Sequence, residues 1–311
     1  MSQKLQDFES STVETVAKGI NHLKIVFVNA YFIDTKDSWV LVDTGLPLTA
    51  WRIKSYAETL YGENAKPAAI VLTHGHFDHA GSALDLAKEW NVPVYAHRLE
   101  MPYLNGKSDY PPQDPTVGGA LAQMSRMFPR SGFDLGEHVK EISADNKIKE
   151  LPEWEIVHTP GHTAGHISLF RSSDKTLLAG DALATMNQDS WISNITEEKE
   201  FNGPPAPFTT DWEAARRSVE KLAELAPNVV AAGHGQPITE NTAARLKTFA
   251  GNFQKPAHGR YVNQPAIADE TGVVSVPPSV ADPVRNILIG AGAIGGGLLL
   301  ARFFKRRKNN S

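Results

Sequence analysis

The sequence of 311 residues contains no cysteine. This absence excludes a disulfide framework, an iron–sulfur centre, a thiolate zinc site and a cysteine nucleophile. Any bound metal must therefore be held by imidazole and carboxylate groups. The chain also lacks an excess of positive charge, since 31 lysines and arginines face 35 acidic residues. Because no domain-wide basic field exists to hold a phosphate backbone, a nucleic-acid partner is not expected.

Two further signals are missing. The N-terminus, MSQKLQDFESSTVETV, carries acidic residues where a secretory signal needs a basic start and an apolar core. We therefore expect a cytoplasmic location. The sequence also lacks the Gly-x-Ser-x-Gly pattern of a serine nucleophile elbow, so catalysis through a serine is not supported.

Short β-branched or aromatic runs alternate along the chain with segments of helical period. Strands are predicted at residues 25–33, 39–43, 69–72, 92–97, 154–159, 167–170, 176–180 and 228–233. Helices are predicted at residues 49–61, 79–90, 211–226 and 239–253. This alternation is typical of a layered α/β core.

An insertion at residues 104–135 separates the two halves of this pattern. It contains a proline-rich loop, SDYPPQDPTVGG, and then a short amphipathic helix. Long loops inside compact domains are often functional, so the insertion is a candidate lid or pocket wall. An ordinary surface excursion is the alternative. Residues that could line an apolar pocket mouth, or equally belong to the core, are Met124, Met127, Phe128, Trp191 and the segment 203–208.

The motif LTHGHFDHAG at residues 72–81 places three histidines and an aspartate within six positions. Side chains alternate faces in an extended segment, so His74 and His76 point to the same side and can hold one cation together. Asp78 and His79 follow as the chain turns into a helix, and they offer a carboxylate and an imidazole to a neighbouring point. The motif therefore predicts part of a metal site.

Three other glycine-flanked turns follow apolar strands. HTPGHTAGH (158–166) presents His162, LLAGDAL (177–183) presents Asp181, and VAAGHGQP (230–237) presents His234. An α/β scaffold gathers functional groups from distant parts of the chain at the ends of its strands. These turns supply the ligands that two metal sites would still lack.

The combined pattern resembles the metallo-β-lactamase fold superfamily over residues 20–253, and in particular its dinuclear hydrolases such as glyoxalase II and the quorum-quenching lactonases. The resemblance implies a four-layer αβ/βα sandwich with the metals at one edge of the two sheets. Carried over position by position, it implies that the first metal is bound by His74, His76 and His162, the second by Asp78, His79 and His234, and both by a bridging Asp181.

The resemblance also covers residues around the ligands. Asp43, in LVDTG, matches a buried carboxylate that orients a ligand imidazole through its far nitrogen, although a turn residue before Gly45 is an equal alternative. His166 matches a recurrent position that is not a ligand, and His158 is expected to be a strand residue. The nitrogen and oxygen ligand set suits two zinc ions without excluding iron, manganese or cobalt. The superfamily's oxygen-reducing di-iron members tend to have glutamate where this chain has His76, which argues against redox chemistry.

The function expected from this site is metal-dependent hydrolysis of a small molecule. Two divalent ions about 3.5–4 Å apart can lower the pKa of a shared water toward neutrality, so hydroxide becomes the nucleophile. We expect cleavage of an ester, lactone or thioester, with Asp78 or Asp181 relaying a proton to the leaving group. Phosphodiester hydrolysis is the alternative within the fold, but the residues around the ligands offer little positive charge beyond Arg98 and Arg130. A non-catalytic metal-binding sensor is a further alternative.

The C-terminal part changes in character. We predict a hydrolase domain over residues 1–255, a linker with scattered prolines over 256–286, and an apolar helix with a basic tail over 287–311. The apolar segment at 287–304 and the basic residues after it predict contact with a membrane surface through residues 287–308. A helix packed on the domain or on a second subunit is the alternative, because the apolar core is shorter than the usual span of about 20 residues.

Overall fold

The computed structural model describes residues 14–188, 199–282 and 284. The chain divides into two compact units, Met1–Pro277 and Pro278–Ser311. Because only residues 278–282 and 284 of the second unit are described, the predicted apolar helix at 287–311 and its membrane contact lie outside the described residues, as does Trp191. Within the described ranges, no helix is long and apolar enough to cross a membrane.

The first unit contains a seven-stranded sheet whose strands lie in chain order. The strands are β1 (Glu14–Ala17), β2 (Ile20–Ile25), β3 (Val28–Asp34), β4 (Trp39–Val42), β5 (Ala69–Val71), β6 (Val94–Ala96) and β7 (Val139–Glu141). Pairing is antiparallel from β1 to β4 and parallel from β4 to β7. Parallel neighbours need crossover connections, and these are supplied by α1 (Ala50–Tyr61), by α2 (Ala83–Trp90), and by the insertion with α3 (Met101–Leu104) and α4 (Ala120–Met124).

A second, four-stranded sheet has the order β11-β10-β9-β8. Its strands are β8 (Glu155–His158), β9 (Ile167–Arg171), β10 (Thr176–Gly180) and β11 (Val229–Ala232). The helix α5 (Trp212–Glu224) joins β10 to β11, which pair in parallel, and α6 (Thr242–Gly251) follows β11. The carboxylate of Asp211 caps α5 by accepting from the Ala214 N–H at 2.9 Å.

The core consists of three apolar layers. Tyr31 and Ile33 of β3 pack toward the second sheet, while Ala30 and Phe32 of the same strand pack toward α1 and α2. A third layer joins the outer face of the second sheet to α5 and α6. Strands that are covered on both faces are apolar at nearly every position, which explains the continuous apolar runs in the sequence. The predicted four-layer αβ/βα sandwich is confirmed.

Two predictions need correction. The run at residues 25–33 is not one strand, because the chain reverses at Val26 and Phe27 to form the β2–β3 hairpin, with Val26 at a φ of 63°. The predicted linker at 256–286 differs from the structure over residues 256–277, which belong to the first unit. There Tyr261 and Val262 are buried against Trp212, and the segment ends in a hairpin of β12 (Ile267–Asp269) and β13 (Gly272–Ser275).

Candidate metal centre

Four strands end at one edge of the sandwich, and each of the connections that follow them carries predicted ligands. The loop after β5 carries His74, His76, Asp78 and His79, the β8–β9 connection carries His162, the turn after β10 carries Asp181, and the turn after β11 carries His234. Residues that are up to 160 positions apart in the sequence thereby come together at one edge. Functional groups usually gather in this way at the strand ends of open α/β sheets.

The seven predicted ligands lie together. Three sets of side chains each offer ligand atoms within 4.8 Å of one another: His74, His76 and His162; His74, His79 and Asp181; and Asp78, His79 and His234. Asp181 stands between the other groups, with its Oδ2 3.6 Å from His162 Nε2, 3.5 Å from His79 Nε2 and 3.2 Å from His234 Nε2. This central position is the one expected of a carboxylate shared by two ions.

The donor atoms fit a cation. His74 Nε2, His79 Nε2 and Asp181 Oδ1 are buried without a hydrogen-bond partner, and a buried polar atom left unpaired costs about 1–3 kcal/mol. His76 Nδ1 lies 2.9 Å from His162 Nε2, so two imidazole nitrogens converge on one point. A Cβ at Gly233 would collide with Asp181 Oδ1, so only glycine allows the backbone to approach the Asp181 carboxylate there.

In three of the predicted ligand imidazoles, the nitrogen that faces away from the site is held by the protein. His79 Nδ1 donates to Asp43 Oδ2 at 2.8 Å, and His234 Nδ1 donates to the Phe27 carbonyl at 2.8 Å. The Thr73 hydroxyl donates to Asp43 at 2.8 Å and is therefore free to accept from His74 Nδ1 at 3.1 Å. These contacts fix the tautomers and leave the opposite nitrogens available to metal. The structure thus supports the first of the two interpretations of Asp43.

His166 and His158 are not arranged as ligands. The Asp181 N–H donates to His166 Nε2 at 2.8 Å, and His166 Nδ1 lies 2.9 Å from Thr159 Oγ1, so both nitrogens are engaged and the ring supports the turn that carries Asp181. His158 ends β8, and its ring stacks on His97 with centroids 4.2 Å apart.

Burial and neighbouring charges separate the imidazoles into two groups. Burial, together with the adjacent imidazoles, lowers the pKa of His76 to about 3 and holds the pKa values of His74 and His162 well below their usual range. Burial, the largest single effect, also opposes the charged form of His79 and His234, but the neighbouring carboxylates together outweigh it and raise the pKa of both. Asp181 contributes most, with Asp78 acting on both imidazoles and Asp43 on His79. Metal binding at this second group must therefore displace protons.

Sequence reasoning missed one functional residue, Glu100. It follows β6, is fully buried and accepts hydrogen bonds from Thr163 Oγ1 at 2.6 Å, from the Gly165 N–H at 3.0 Å, from the Gly75 N–H at 3.0 Å and from the Tyr110 hydroxyl. It therefore ties the loop of His74 and His76 to the loop of His162. No local motif marks it, since its partners come from distant parts of the chain.

Predicted metal ligands at the ends of strands, with the Asp43 carboxylate supporting one of them, are typical of a metal-binding α/β sandwich. Comparisons with known proteins identify the family. Residues 23–234 match the family model of the metallo-beta-lactamase superfamily. The chain belongs to this superfamily, as its sequence pattern predicted.

The curated relatives include several metallo-hydrolases. The chain is 44% identical over 227 residues to the probable metallo-hydrolase YflN of Bacillus subtilis, covering 72% of this chain and 86% of that protein. Hydroxyacylglutathione hydrolase GloC of Haemophilus influenzae is 29% identical over 114 residues, which is 37% of this chain and 49% of that protein.

Solved structures agree on the fold. TTHA1623 in a di-iron-bound form has a TM-score of 0.50 and 25% identity, and it covers 73% of this chain and 98% of its own. BJP-1, a subclass B3 metallo-beta-lactamase of Bradyrhizobium japonicum, has a TM-score of 0.52 and 19% identity over 77% of this chain and 89% of its own. The protein is therefore a metallo-hydrolase of this superfamily with a candidate di-metal site.

Proposed function

We propose that the protein is a dinuclear zinc hydrolase that cleaves an ester, lactone or thioester bearing an apolar group. The proposal rests on one observation, namely that five of the seven predicted ligands line an apolar cavity. The cavity has a volume of about 250 Å³, and its lining includes Asp78, His162, Asp181 and His234 together with Phe27, Phe77, Phe128 and Phe208.

Phe128 connects three of the aromatic walls. Its ring centroid lies 5.2 Å from that of Phe77, 6.1 Å from that of Phe208 and 6.4 Å from that of Phe27. Phe77 lies within the ligand loop itself, and Phe208 is 5.8 Å from the His76 ring. A substrate whose reacting group reaches the ligands therefore has its neighbouring group among aromatic side chains, which favour an acyl or aryl group.

The insertion supplies much of this cavity. Tyr110, Pro111 and Pro112 of its proline-rich loop line one wall, and Met124 and Phe128 line another. Met127 instead points to solvent, with 76% of its surface exposed. These contacts support the interpretation of residues 104–135 as a pocket wall.

The first zinc would be held by His74, His76 and His162, the second by Asp78, His79 and His234, with Asp181 shared. When bound, two such ions supply a water of lowered pKa and polarise the scissile carbonyl. Zinc is proposed because every donor is nitrogen or oxygen, and because His76 stands where the oxygen-reducing di-iron members of the superfamily tend to have glutamate. The di-iron form of TTHA1623 is a reason to measure the metal.

The two carboxylates of the site differ in their surroundings. Burial raises the pKa of Asp78, with His79 and His234 opposing the rise. Burial acts in the same direction on Asp181, but there the imidazoles of His234 and His79 prevail and hold its pKa well below the usual range. Asp78 is therefore the better carrier of a proton to the leaving group, whereas Asp181 stays a carboxylate between the ligand groups.

The alternatives have weaker support. Arg130 is the single lysine or arginine among the described residues that line the cavity, and its side chain is 49% exposed, while Arg98 pairs with Glu270 at 2.9 Å. The cavity therefore offers little positive charge to bind the phosphate group of a phosphodiester. A glutathione thioester is not favoured, because over the described residues 252–282 α6 is followed by the short hairpin β12–β13 instead of a helical region. A sensor module would not require all seven donors.

A substrate panel tests the proposal. The zinc-loaded chain is assayed with 4-nitrophenyl acetate, butyrate and octanoate, with a lactone, with an acyl thioester and with bis(4-nitrophenyl) phosphate. We expect hydrolysis of acyl substrates that is lost on chelation and restored by zinc. Hydrolysis of the phosphodiester alone, or of nothing by a chain shown to carry two ions, would overturn the proposal.

A further inference from the structure

The segment at residues 256–277, named here the C-terminal strap, packs on the walls of the cavity. It lies beyond residues 23–234, the part of the chain that matches the family model, and within the first compact unit. The family model therefore does not describe the contacts that this segment makes.

The strap is anchored firmly on the body of the protein. Tyr261 and Val262 are buried in a small apolar cluster with Trp212 of α5. Lys255 Nζ donates to the Val262 carbonyl at 2.9 Å, and the Ala266 N–H donates to the Thr210 carbonyl at 3.0 Å. Because Thr210 itself lines the cavity, this anchor already lies beside the site.

From this anchor the strap contacts the proline-rich wall. The Tyr261 hydroxyl donates to the Pro112 carbonyl at 2.7 Å, and the Arg260 N–H donates to the Asp114 carboxylate. The backbone approaches closely because Gly259, at a φ of +148°, has no side chain, and a Cβ there would lie 2.6 Å from Asp114 Oδ2 and 2.8 Å from Val117 Cγ1. Pro111 and Pro112 line the cavity directly.

Asp114 extends this contact to a second wall. It is 3% exposed, its Oδ1 accepts from the Thr116 N–H at 3.0 Å, and its own N–H donates to the Pro207 carbonyl at 2.7 Å. Pro207 precedes Phe208, which lines the cavity. Asp114 therefore couples the strap to both the proline-rich wall and the Phe208 wall.

The chemistry of the wall explains why it needs the strap. Proline has no backbone N–H, so the run PPQDP at residues 111–115 offers few donors for a backbone ladder. Such a run is held through its carbonyls, through Asp114, through the remaining N–H groups and through the Gln113 side chain, which donates to the Phe128 carbonyl at 2.9 Å. The strap supplies donors to the first two of these.

From these contacts we propose that Gly259, Arg260 and Tyr261 are specificity-determining positioning residues, which set the width of the cavity through Pro112 and Asp114 and thereby select the length of the substrate's apolar group. This inference rests on the proposed hydrolysis, whose substrate would occupy that cavity. The strap contributes no predicted metal ligand, so its effect is on substrate fit and not on the number of bound ions.

The test compares three full-length, zinc-loaded variants with the wild type. Tyr261→Phe removes the hydroxyl without changing the ring, and Gly259→Val inserts a side chain against Asp114. Tyr61→Phe is the matched control, since its hydroxyl donates to Asp34 at 2.7 Å on the far side of the first sheet. Amide hydrogen exchange over residues 110–117, metal content, and kcat and KM for 4-nitrophenyl acetate, butyrate and octanoate are measured for each.

Tyr261→Phe should speed exchange over residues 110–117 by about 2- to 12-fold, the factor that corresponds to a net hydrogen bond of about 0.5–1.5 kcal/mol. KM for octanoate should change by a similar factor, while the acetate kinetics and the zinc content stay as in the wild type. Gly259→Val should have a larger effect in the same direction, and Tyr61→Phe none.

Two results would overturn the proposal. One is unchanged exchange over residues 110–117 in both strap variants. The other is an equal fall in activity on all three esters accompanied by loss of zinc, which indicates a merely structural role. If the wild type hydrolyses none of the esters, the proposed function fails separately, and the exchange measurement still decides whether the strap holds the wall.

Discussion

Glu100 offers a sharp test of how the metal centre is held together, because it contacts the ligand loops without being a ligand. Its Oε1 accepts from Thr163 and Gly165, and its Oε2 accepts from Gly75 and Tyr110. Replacing Glu100 by Gln keeps the size of the side chain but turns one acceptor oxygen into an NH2 group. Whichever way the amide lies, two donors then face a group that cannot accept from them.

The expected loss in the free energy of unfolding follows from the number of donors that lose their acceptor. A buried donor without an acceptor costs about 1–3 kcal/mol, so two of them set a range of about 2–6 kcal/mol. The less costly orientation places the NH2 toward Gly75 and Tyr110, because the Gly75 N–H also donates to Tyr110 Oη at 2.8 Å and keeps that partner. In that orientation the Tyr110 hydroxyl alone loses its acceptor, which costs about 1–3 kcal/mol, so we expect Glu100→Gln to lower the free energy of unfolding by about 2 kcal/mol.

Urea unfolding of the zinc-loaded protein, followed by tryptophan fluorescence at a fixed free zinc concentration, measures this loss. Glu58→Gln is the control, since Glu58 is exposed on α1 and surface substitutions usually change stability by within about 0.5 kcal/mol. Elemental analysis should show that Glu100→Gln also retains less zinc, because the His74–His76 loop is no longer fixed relative to His162. A variant with the unfolding midpoint and zinc content of the wild type would refute this reasoning.

Four further results are expected. Elemental analysis of the purified, supplemented chain should give two metal ions, and a maximum of one would argue against the dinuclear site. Asp181→Ala should loosen both ions together and abolish hydrolysis, so normal turnover in this variant would remove its bridging role. Asp43→Asn should weaken metal binding about 10- to 100-fold in competition with a chromogenic chelator, since Asp43 orients the His79 imidazole; unchanged affinity would leave Asp43 as a turn residue. Phe128→Ala should raise KM for an octanoyl ester more than for an acetyl ester, because each lost aromatic contact is worth about 0.5–1.5 kcal/mol; equal changes would contradict an apolar subsite.

The sequence was sufficient to predict that these seven side chains lie together, because each of them stands in a short polar turn directly after an apolar strand. His74 and His76 share a face of an extended segment, and His234 follows β11 by two residues. Most of the strands were predictable because strands covered on both faces give continuous apolar runs. The exception is the run at residues 25–33, which hides the β2–β3 hairpin. Local patterns of this kind can be recognised in the sequence without knowledge of the tertiary contacts.

The supporting contacts could not be predicted in the same way. Glu100 and the Phe27 carbonyl act through partners that are remote in the chain, and the partner of Phe27, His234, is 207 residues away. The Phe27 carbonyl is available because the chain reverses at Val26, whose left-handed backbone is unusual for a β-branched residue. Similarly, the prolines of residues 256–277 indicated a linker. In the structure, burial of the Tyr261 ring against Trp212 instead holds this segment on the first unit.

The balance of buried charge bears on how many ions the centre holds. Asp43, Asp78, Asp181 and Glu100 are all at most 9% exposed, and buried carboxylates are costly unless cations or hydrogen bonds compensate them. Glu100 is compensated by the four hydrogen bonds that it accepts. Asp43, Asp78 and Asp181 remain as the carboxylates beside the predicted ligand atoms, and a single divalent ion would leave part of their charge uncompensated. Without ions, protons on His79 and His234 take part of this role, because the neighbouring carboxylates together raise the pKa of both against the effect of burial. We therefore expect the binding of two ions, with release of those protons, to balance the charge at this edge of the sandwich.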